Sequence, residues 1–554
     1  MNKPNQKNII LIGFSGTGKS DVGEHVAKLL RWEFLDIDSE IERVSGKTVP
    51  EIFAQDGEAH FRKLEHEVLK ETCDRSLVVI STGGGAVMDN LNVTTMMDRG
   101  TVICLEAKPE TIYNRLLRYD GPVGTIRPLL NTPDPMERIK QLKAFRQSHY
   151  SISHWTIHTD NLTISEVCQE VVRGWHFCRR GHAEDTAVDN NDDLACEVVT
   201  STNYYPIHVG RGLLGSVGKL MCQAGIEGHT YVISDSLVHP LYGSAVEKNL
   251  RASGLKTSSL VVPAGEGTKS LGSAMNIYDW LVKNRAERKD TIVALGGGMI
   301  GDLAGFVAAT FMRGISLVQV PTTLIAMVDS SIGGKTAVNH PEAKNSIGVF
   351  HQPRLVVADV ETLSSLPARE LTSGWAEVIK HALILDEHGI PLLEENAVRL
   401  KSLDQQVISK VIKRSAAIKA RVVSQDERET GQRTLLNYGH TIAHGIETAT
   451  NYEGYLHGEA VAIGMVGAGE ISKRCGLLSD DNVIRQKEIL EQFGLLVSCP
   501  GIDPKDVMKA MEMDKKVRGK KIRWVLLSYL GEAVVKEDVP RKAVSDAIAG
   551  LCTG

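Results

Sequence analysis

Apolar and polar positions along the chain alternate between two periods. The stretch "NIILIGF" (8–14) is apolar almost throughout, as a strand buried on both faces is, and after a glycine loop "SDVGEHVAKLL" carries the spacing of an amphipathic helix. "SLVVIST" (76–82) and "GTVICLE" (100–106) repeat the strand signal, with helical patterns between them. This rhythm predicts βαβ units and a parallel sheet up to about Gly174. Residues 183–194, "AEDTAVDNNDDL", then hold five acids, two asparagines and almost nothing to bury, which predicts a solvated linker. The rhythm resumes in "TYVISD" (230–235), "SSLVVPAGEG" (258–267) and "DTIVALGGG" (290–298), each a strand running into a loop. From about residue 365 strand signals disappear, and helical patterns run through "ELTSGWAEVIKHALIL", "QVISKVIKRSAAIKARVVS" and "GEAVAIGMVGAGEISKRC". The expected architecture is α/β: a parallel-sheet unit (1–175), an acidic linker (176–196), a second α/β unit (197–364) and a mostly helical unit (365–554). A crevice between the last two is the expected place for a ligand.

Length agrees with several cores, since 554 residues exceed what one core supports and roughly 150 residues per domain is usual. The net charge is −5, and no Lys/Arg cluster is long enough for a nucleic-acid face, so no nucleic-acid partner is expected. Nine cysteines without a C-x-x-C pair point to a reducing compartment and away from a cysteine-ligated zinc. No stretch approaches the ~20 apolar residues that span a bilayer. The N-terminal apolar run is too short for a signal peptide, and a cytoplasmic protein is expected.

Two sets of residues carry chemistry. In the first unit, Gly13, Gly16, Gly18, Lys19 and Ser20 satisfy G-x-x-x-x-G-K-[S/T] between a strand and a helix. The glycines let backbone N–H groups curl around phosphate, Lys19 reaches the β/γ-phosphates, and Ser20 can ligate Mg²⁺. Asp36 and Asp38 in "FLDIDSEIE" offer one acid for Mg²⁺ and one for a hydroxyl. Arg62, Arg127 and Arg146 exceed what ATP requires and suggest an anionic acceptor, while Gly83, Gly84 and Gly85 permit close approach of a ligand.

Together, GFSGTGKS, the DID aspartates, FRKLE, GGGAV, RPLL and the R-x-x-x-Y ending in Tyr150 resemble shikimate kinase over about residues 7–175. The resemblance implies that Asp38, Arg62 and Arg146 hold shikimate near Gly84 and Gly85. It also implies that Asp36 supports Mg²⁺, Arg127 closes over the phosphates and Arg118 lies near adenine.

In the last unit, His440 and His444 stand four residues apart, one helical turn on one face. With Glu377, expected to begin a helix, and His457, they offer a catalytic zinc set. Spacing alone selects His440, His444 and either Glu377 or His457. Gly296, Gly298 and Gly301 satisfy G-x-G-x-x-G, yet the acid expected about 20 residues on is replaced by "LVQVPTT", so the fingerprint is incomplete.

The long stretch "VPTTLIAMVDSSIGGKTAVNHPEAKNSIGVFHQP", with PAGEGTKS, GGGMIGD, WAEVIK, LNYGHTIAH and LHGE, resembles 3-dehydroquinate synthase over about residues 197–550. The resemblance implies zinc or cobalt on Glu377, His440 and His457, with His444 facing substrate instead. It implies NAD contacts at Asp235, Glu266, Lys269, Gly298, Asp302, Thr322 and Thr323. Substrate contacts are implied for Asp329, Lys335, Lys344, Asn345, Lys380, Lys419, Arg433, Asn437, Lys521 and, from a partner subunit of a homodimer, Arg313. The implied reaction oxidises a sugar acid phosphate with NAD⁺, eliminates phosphate, returns the hydride and closes a ring. A bifunctional enzyme with ATP, Mg²⁺, NAD and a transition metal is therefore expected. The alternative is an ATP-sensing P-loop module fused to a metal-dependent polyol dehydrogenase. Lys269, Lys335, Lys344 and Lys419 weigh against that alternative, because a neutral polyol needs no such charge.

Overall fold

The structure is a computed structural model of the chain and describes residues 8–119, 134–150, 152–160, 162–181, 193–200, 203–429, 431–518 and 522–553. The chain forms two compact units, residues 1–188 and 189–554.

In the first unit, β1 (Asn8–Ile12), β2 (Glu33–Asp36), β3 (Val78–Ser81), β4 (Gly100–Glu106) and β5 (Trp155–His158) make a parallel sheet in the order β2-β3-β1-β4-β5. β1 is central and buried at every position, which accounts for its unbroken apolar run. Because β1 and β3 are parallel neighbours, the loops leaving their C-terminal ends lie side by side: Gly13 to Gly18 and Gly83 to Gly85. The helix Ile164–Gly181 buries Val167, Cys168, Val171 and Trp175, and Trp175 meets Trp32 edge-on at 4.9 Å. That burial carries the helix to Gly181, and the next strand opens at Leu194, so the 176–196 linker expectation is too wide at both ends. Of the acidic residues between, Glu184, Asp185, Asp189 and Asp192 lie outside the described segments.

The second unit is built on a seven-stranded sheet. Its strands are β6 (Leu194–Val199), β7 (Tyr204–Gly210), β8 (His229–Asp235), β9 (Lys256–Val262), β10 (Thr291–Gly296), β11 (Ser316–Pro321) and β14 (Leu355–Asp359). They run in the order β6-β7-β14-β11-β10-β8-β9, parallel except for the β6–β7 pair. A separate hairpin, β12 (Lys335–His340) and β13 (Ala343–Phe350), leaves the sheet. Helices follow. In Ala368–Leu385 every residue from Ser373 to Ile384 is buried, so this helix is the axis around which the others pack. Glu377 sits inside that helix and does not begin it, because Pro367 caps the N-terminus ten residues earlier.

The expectation of no strands after residue 365 fails at β15 (Trp524–Tyr529) and β16 (Glu532–Lys536). Their turn places Gly531 at φ +100°, donating its N–H to Leu383 O at 2.8 Å. A Cβ there would lie 2.6 Å from the Glu387 backbone, so only glycine lets the hairpin dock on the axial helix. Short apolar runs such as "WVLLSY" do not distinguish strand from buried helix by periodicity. Among the described residues no helix is long and apolar enough to cross a membrane.

Candidate functional site

In the first unit, the loop after β1 carries Gly13, Gly16 and Gly18 at φ +138°, +85° and +92°. Lys19 opens the helix Lys19–Leu30 and folds back over the loop, its Nζ donating to the carbonyls of Gly13 (2.8 Å) and Phe14 (3.0 Å). Ser20 Oγ donates to Asp36 Oδ2 at 2.6 Å, while Asp36 Oδ1 caps the helix Ile37–Ser45 by accepting from Asp38 N at 3.1 Å. Next to this loop, Arg146 Nη1 and Tyr150 OH both donate to Gly84 O, at 3.1 and 2.7 Å. A Cβ on Gly85 would lie 2.7 Å from Arg62 Nη2, and one on Gly83 would lie 3.0 Å from Asp38 Oδ1. The three glycines thus form a floor walled by Asp38, Arg62 and Arg146. Arg62 is held by Glu65 at 2.7 Å and Glu58 at 3.1 Å. Burial pushes the Glu65 carboxyl up from its ordinary range, against the pull of Arg62. Arg118 lies near the end of the helix Pro109–Tyr119 with its side chain outside the description, and Arg127 lies outside the described residues.

In the second unit, three helices bring one ligand atom each from Glu377, His440 and His457 to within 4.8 Å of one another. His440 Nε2 and His457 Nε2 stand 3.7 and 3.9 Å from Glu377 Oε1, which is buried without a hydrogen-bond donor. Each imidazole is oriented from behind. His440 Nδ1 faces Tyr438 O at 3.2 Å, and His457 Nδ1 faces Glu447 Oε1 at 3.3 Å. Both contacts favour Nδ1–H and leave Nε2 with its lone pair toward the cluster. Burial and the nearby Lys380 hold His440 well below the usual imidazole range, hence neutral. His444 is exposed outside this cluster, its ring 5.7 Å from that of His440 and nearly perpendicular to it.

The C-terminal ends of β8, β9, β10 and β11 carry a further set of these residues. Asp235 ends β8, Glu266 and Lys269 follow β9, Gly298 and Asp302 begin the helix after β10, and Thr322 and Thr323 follow β11. Lys269 Nζ donates to Asp302 Oδ2 and to Asn345 Oδ1, both at 2.5 Å. Lys419 Nζ contacts Asp329 through its carbonyl (2.7 Å) and its carboxylate, and Lys380 pairs with Glu377. Arg433 donates to Glu427 O at 2.6 Å and Gly333 O at 3.1 Å. Asn437 Nδ2 donates to Glu429 Oε1 at 2.7 Å, and Lys335 pairs with the other oxygen of that carboxylate. Lys344 Nζ lies 4.2 Å over the Tyr452 ring. Arg313 is exposed, and Lys521 lies outside the described residues.

The shikimate kinase family model matches residues 15–175, and the N-terminal and C-terminal 3-dehydroquinate synthase models match residues 259–373 and 374–517. The 3-dehydroquinate synthase of Symbiobacterium thermophilum is 47% identical over 350 residues, 63% of this chain and 98% of that protein. The chain belongs to the 3-dehydroquinate synthase family. Among solved structures, 2-deoxy-scyllo-inosose synthase complexed with carbaglucose-6-phosphate, NAD⁺ and Co²⁺ matches at 29% identity and TM-score 0.58, covering 64% of this chain and 98% of its own. The 2-epi-5-epi-valiolone synthase of Streptomyces hygroscopicus subsp. jinggangensis, with NAD⁺ and Zn²⁺ bound, matches at 28% identity and TM-score 0.58, over 63% and 96%. With a kinase unit in front of the synthase, the chain is a bifunctional shikimate-pathway enzyme with kinase and lyase activities.

The synthase unit's own atoms fit a metal and a dinucleotide. Two neutral-capable imidazole nitrogens and a buried carboxylate oxygen without a donor are a borderline-soft donor set with no cysteine. Thr322 Oγ1, just after β11, and Ser330 Oγ, at the end of the helical turn Ala326–Ser330, are buried without partners, and a Cβ on Gly298 would lie 3.0 Å from Ser330 Oγ. Gly301 fulfils the third-glycine role of close packing, since a Cβ there would meet Gln319 Oε1 at 2.9 Å. In the kinase unit, the contacting Ser20 hydroxyl and Asp36 carboxylate are the hard oxygens that Mg²⁺ takes.

Four residues of these sites receive no role from the motifs. Glu447 orients His457, Glu65 fixes Arg62, and Glu429 sets a carboxylate among the synthase cations. Arg115 ties Thr17 O (3.3 Å) to Thr159 O (2.7 Å), bracing the phosphate loop. Only Glu65 left a sequence signal, the i,i+3 spacing from Arg62.

Proposed function

We propose that the kinase unit transfers the γ-phosphoryl group of ATP to the 3-hydroxyl of shikimate, and that the synthase unit converts 3-deoxy-D-arabino-heptulosonate 7-phosphate to 3-dehydroquinate and phosphate. The observation that carries the synthase reading is the Glu377–His440–His457 cluster, with Lys380 paired to Glu377 and Lys419 paired to Asp329, whose carboxylate lies within 4.8 Å of a Glu377 oxygen. Glu377, His440 and His457 would hold Zn²⁺ or Co²⁺, and Asp235, Glu266, Lys269, Gly298, Asp302, Thr322 and Thr323 would hold NAD. When bound, NAD supplies reversible hydride acceptance and the metal supplies acidification of a substrate hydroxyl.

The chain's own residues do the rest. Lys335, Lys344, Lys419, Arg433 and Asn437 answer a carboxylate and a phosphate, and a dianionic substrate replaces Glu429 as the partner of Lys335 and Asn437. His444, exposed one turn beyond His440, moves protons at the substrate. Asp329 holds the Lys419 ammonium in place. In the kinase unit, Lys19 steadies the β/γ-phosphates, Ser20 and Asp36 carry Mg²⁺, and Asp38, Arg62 and Arg146 orient shikimate on the glycine floor. Catalysis there is positioning and charge neutralisation.

The synthase unit acts as a homodimer. The helix Leu271–Lys283 exposes Leu271, Met275 and Val282 along one face at 51%, 58% and 65%, and Arg313 is exposed on the same unit. Arg313 would then reach the partner's substrate. The nine free cysteines suit a cytoplasmic setting. The test is two separate assays on the purified chain: ATP-dependent phosphorylation of shikimate, and phosphate release from the heptulosonate phosphate without net NAD consumption. Absence of either activity in protein that binds the corresponding nucleotide overturns the reading for that unit.

A further inference from the structure

Two of the nine cysteines meet inside the second unit. Cys499 and Cys552 are 1% and 8% exposed, and their Sγ atoms stand 3.7 Å apart although 53 residues separate them in sequence. Their backbones are tied directly, Cys499 N donating to Leu551 O at 2.8 Å. That bond holds the two Cα atoms within about 7 Å, the span a disulfide bridges, so a side-chain adjustment brings sulfur to the ~2 Å of a covalent bond. It is the one thiol–thiol contact among the described residues.

We propose that Cys499 and Cys552 form a redox-modification site, a thiol pair that a peroxide-class oxidant converts to a disulfide. Cys552, the more exposed, attacks the peroxide: an S–O bond forms, the O–O bond breaks, and one water leaves. The Cys499 sulfur then attacks the Cys552 sulfenic acid: the S–S bond forms, the S–O bond breaks, and a second water leaves. Two thiols lose two electrons and two protons, and the peroxide is reduced to two waters. Burial pushes the Cys499 thiol up to about 12 and raises that of Cys552, so the pair reacts more slowly than the exposed Cys222.

The bond staples the terminal helix Arg541–Thr553 to the segment before Pro504. Leu551 already packs on Gly467, where a Cβ would lie 2.8 Å from Leu551 Cδ1, in the helix that His457 begins. Oxidation therefore stiffens the support of a metal-cluster residue without touching the cluster.

The experiment treats the native full chain with hydrogen peroxide, quenches with catalase, alkylates free thiols and digests without reduction. The expected result is a linked pair of peptides containing Cys499 and Cys552. A thermal midpoint of the second unit about 5–10 °C higher should accompany it, reversed by dithiothreitol and absent in Cys499→Ser. The conservative Cys552→Ser variant should fold and also lack the shift. If Cys222 is oxidised while both buried thiols remain alkylatable, the proposal fails. It fails equally if Cys552 is recovered as sulfinic acid or linked to another cysteine.

Discussion

At the scale of single residues, spacing and space disagree about two histidines. One helical turn makes His440 and His444 look equivalent, but only His440 shares a 4.8 Å cluster with Glu377 and His457. His440→Ala should lose the bound metal, and His444→Ala should keep most of it while losing about 10²–10⁴-fold in synthase rate, the range for a proton-handling group. Elemental analysis of both purified variants decides, and equal metal loss would return His444 to the coordination set. A second residue sets a pH limit. Burial, opposed by Asp329, pushes the Lys419 ammonium down from 10.5 to about 8. Its charge is therefore present below that pH and lost as pH rises through about 8, so the synthase kcat/KM should fall on an alkaline limb there. Stability has the opposite sign: between about 8 and 10.5 the unfolded chain binds the extra proton, so this group's burial cost fades as pH rises. Lys419→Arg should shift the activity limb upward, and a limb that does not move assigns it to another group.

At the scale of elements, the cluster is a property of three helices and of how closely they approach. The helix His457–Arg474 touches the other two ligand-bearing helices through glycines. A Cβ on Gly458 would lie 1.9 Å from Ser373 O, in the helix of Glu377, and one on Gly464 would lie 2.1 Å from Gly439 O, which caps the helix of His440. Gly464→Ala should therefore force His457 and His440 apart, costing about 1–3 kcal/mol by overpacking and weakening metal binding. Gly550→Ala, with nothing within 4 Å of its Cβ, is the matched control and should leave both unchanged. Calorimetric metal titration separates the two, and a Gly464→Ala protein with normal affinity would mean the helices adjust. This also shows what was legible beforehand. β1, β4 and the helices Gln405–Gln425 and His457–Arg474 announced themselves because their burial writes an unbroken or periodic apolar run into the local sequence. Glu447 and Glu429 did not, because each meets its partner only through the packing of separate elements, and the β15–β16 hairpin did not, because its apolar run is ambiguous.

At the scale of the molecule, one unit is built on the five-stranded sheet and the other on the seven-stranded sheet, and no hydrophobic cluster is shared between them among the described residues. The kinase consumes shikimate while the synthase makes 3-dehydroquinate, so neither site produces what the other uses, and independent operation is the physical expectation. Lys19 tests it most directly. Its Nζ donates to the carbonyls of Gly13 and Phe14 within the first unit. Lys19→Ala removes the point charge at the β/γ-phosphates, and kinase kcat should fall by at least about 10²-fold, the loss expected when one preorganised charge is removed from a transferring group. Phosphate release by the synthase should stay within about twofold of the parent, since changes at independent sites add without coupling. Chelation followed by Mg²⁺ should produce the mirror image, an active kinase beside a silent synthase that Zn²⁺ or Co²⁺ restores. Near-parental shikimate phosphorylation by Lys19→Ala would remove the phosphate loop from the kinase mechanism. A synthase that fell in step with the kinase would show that the two units are coupled through the chain between them.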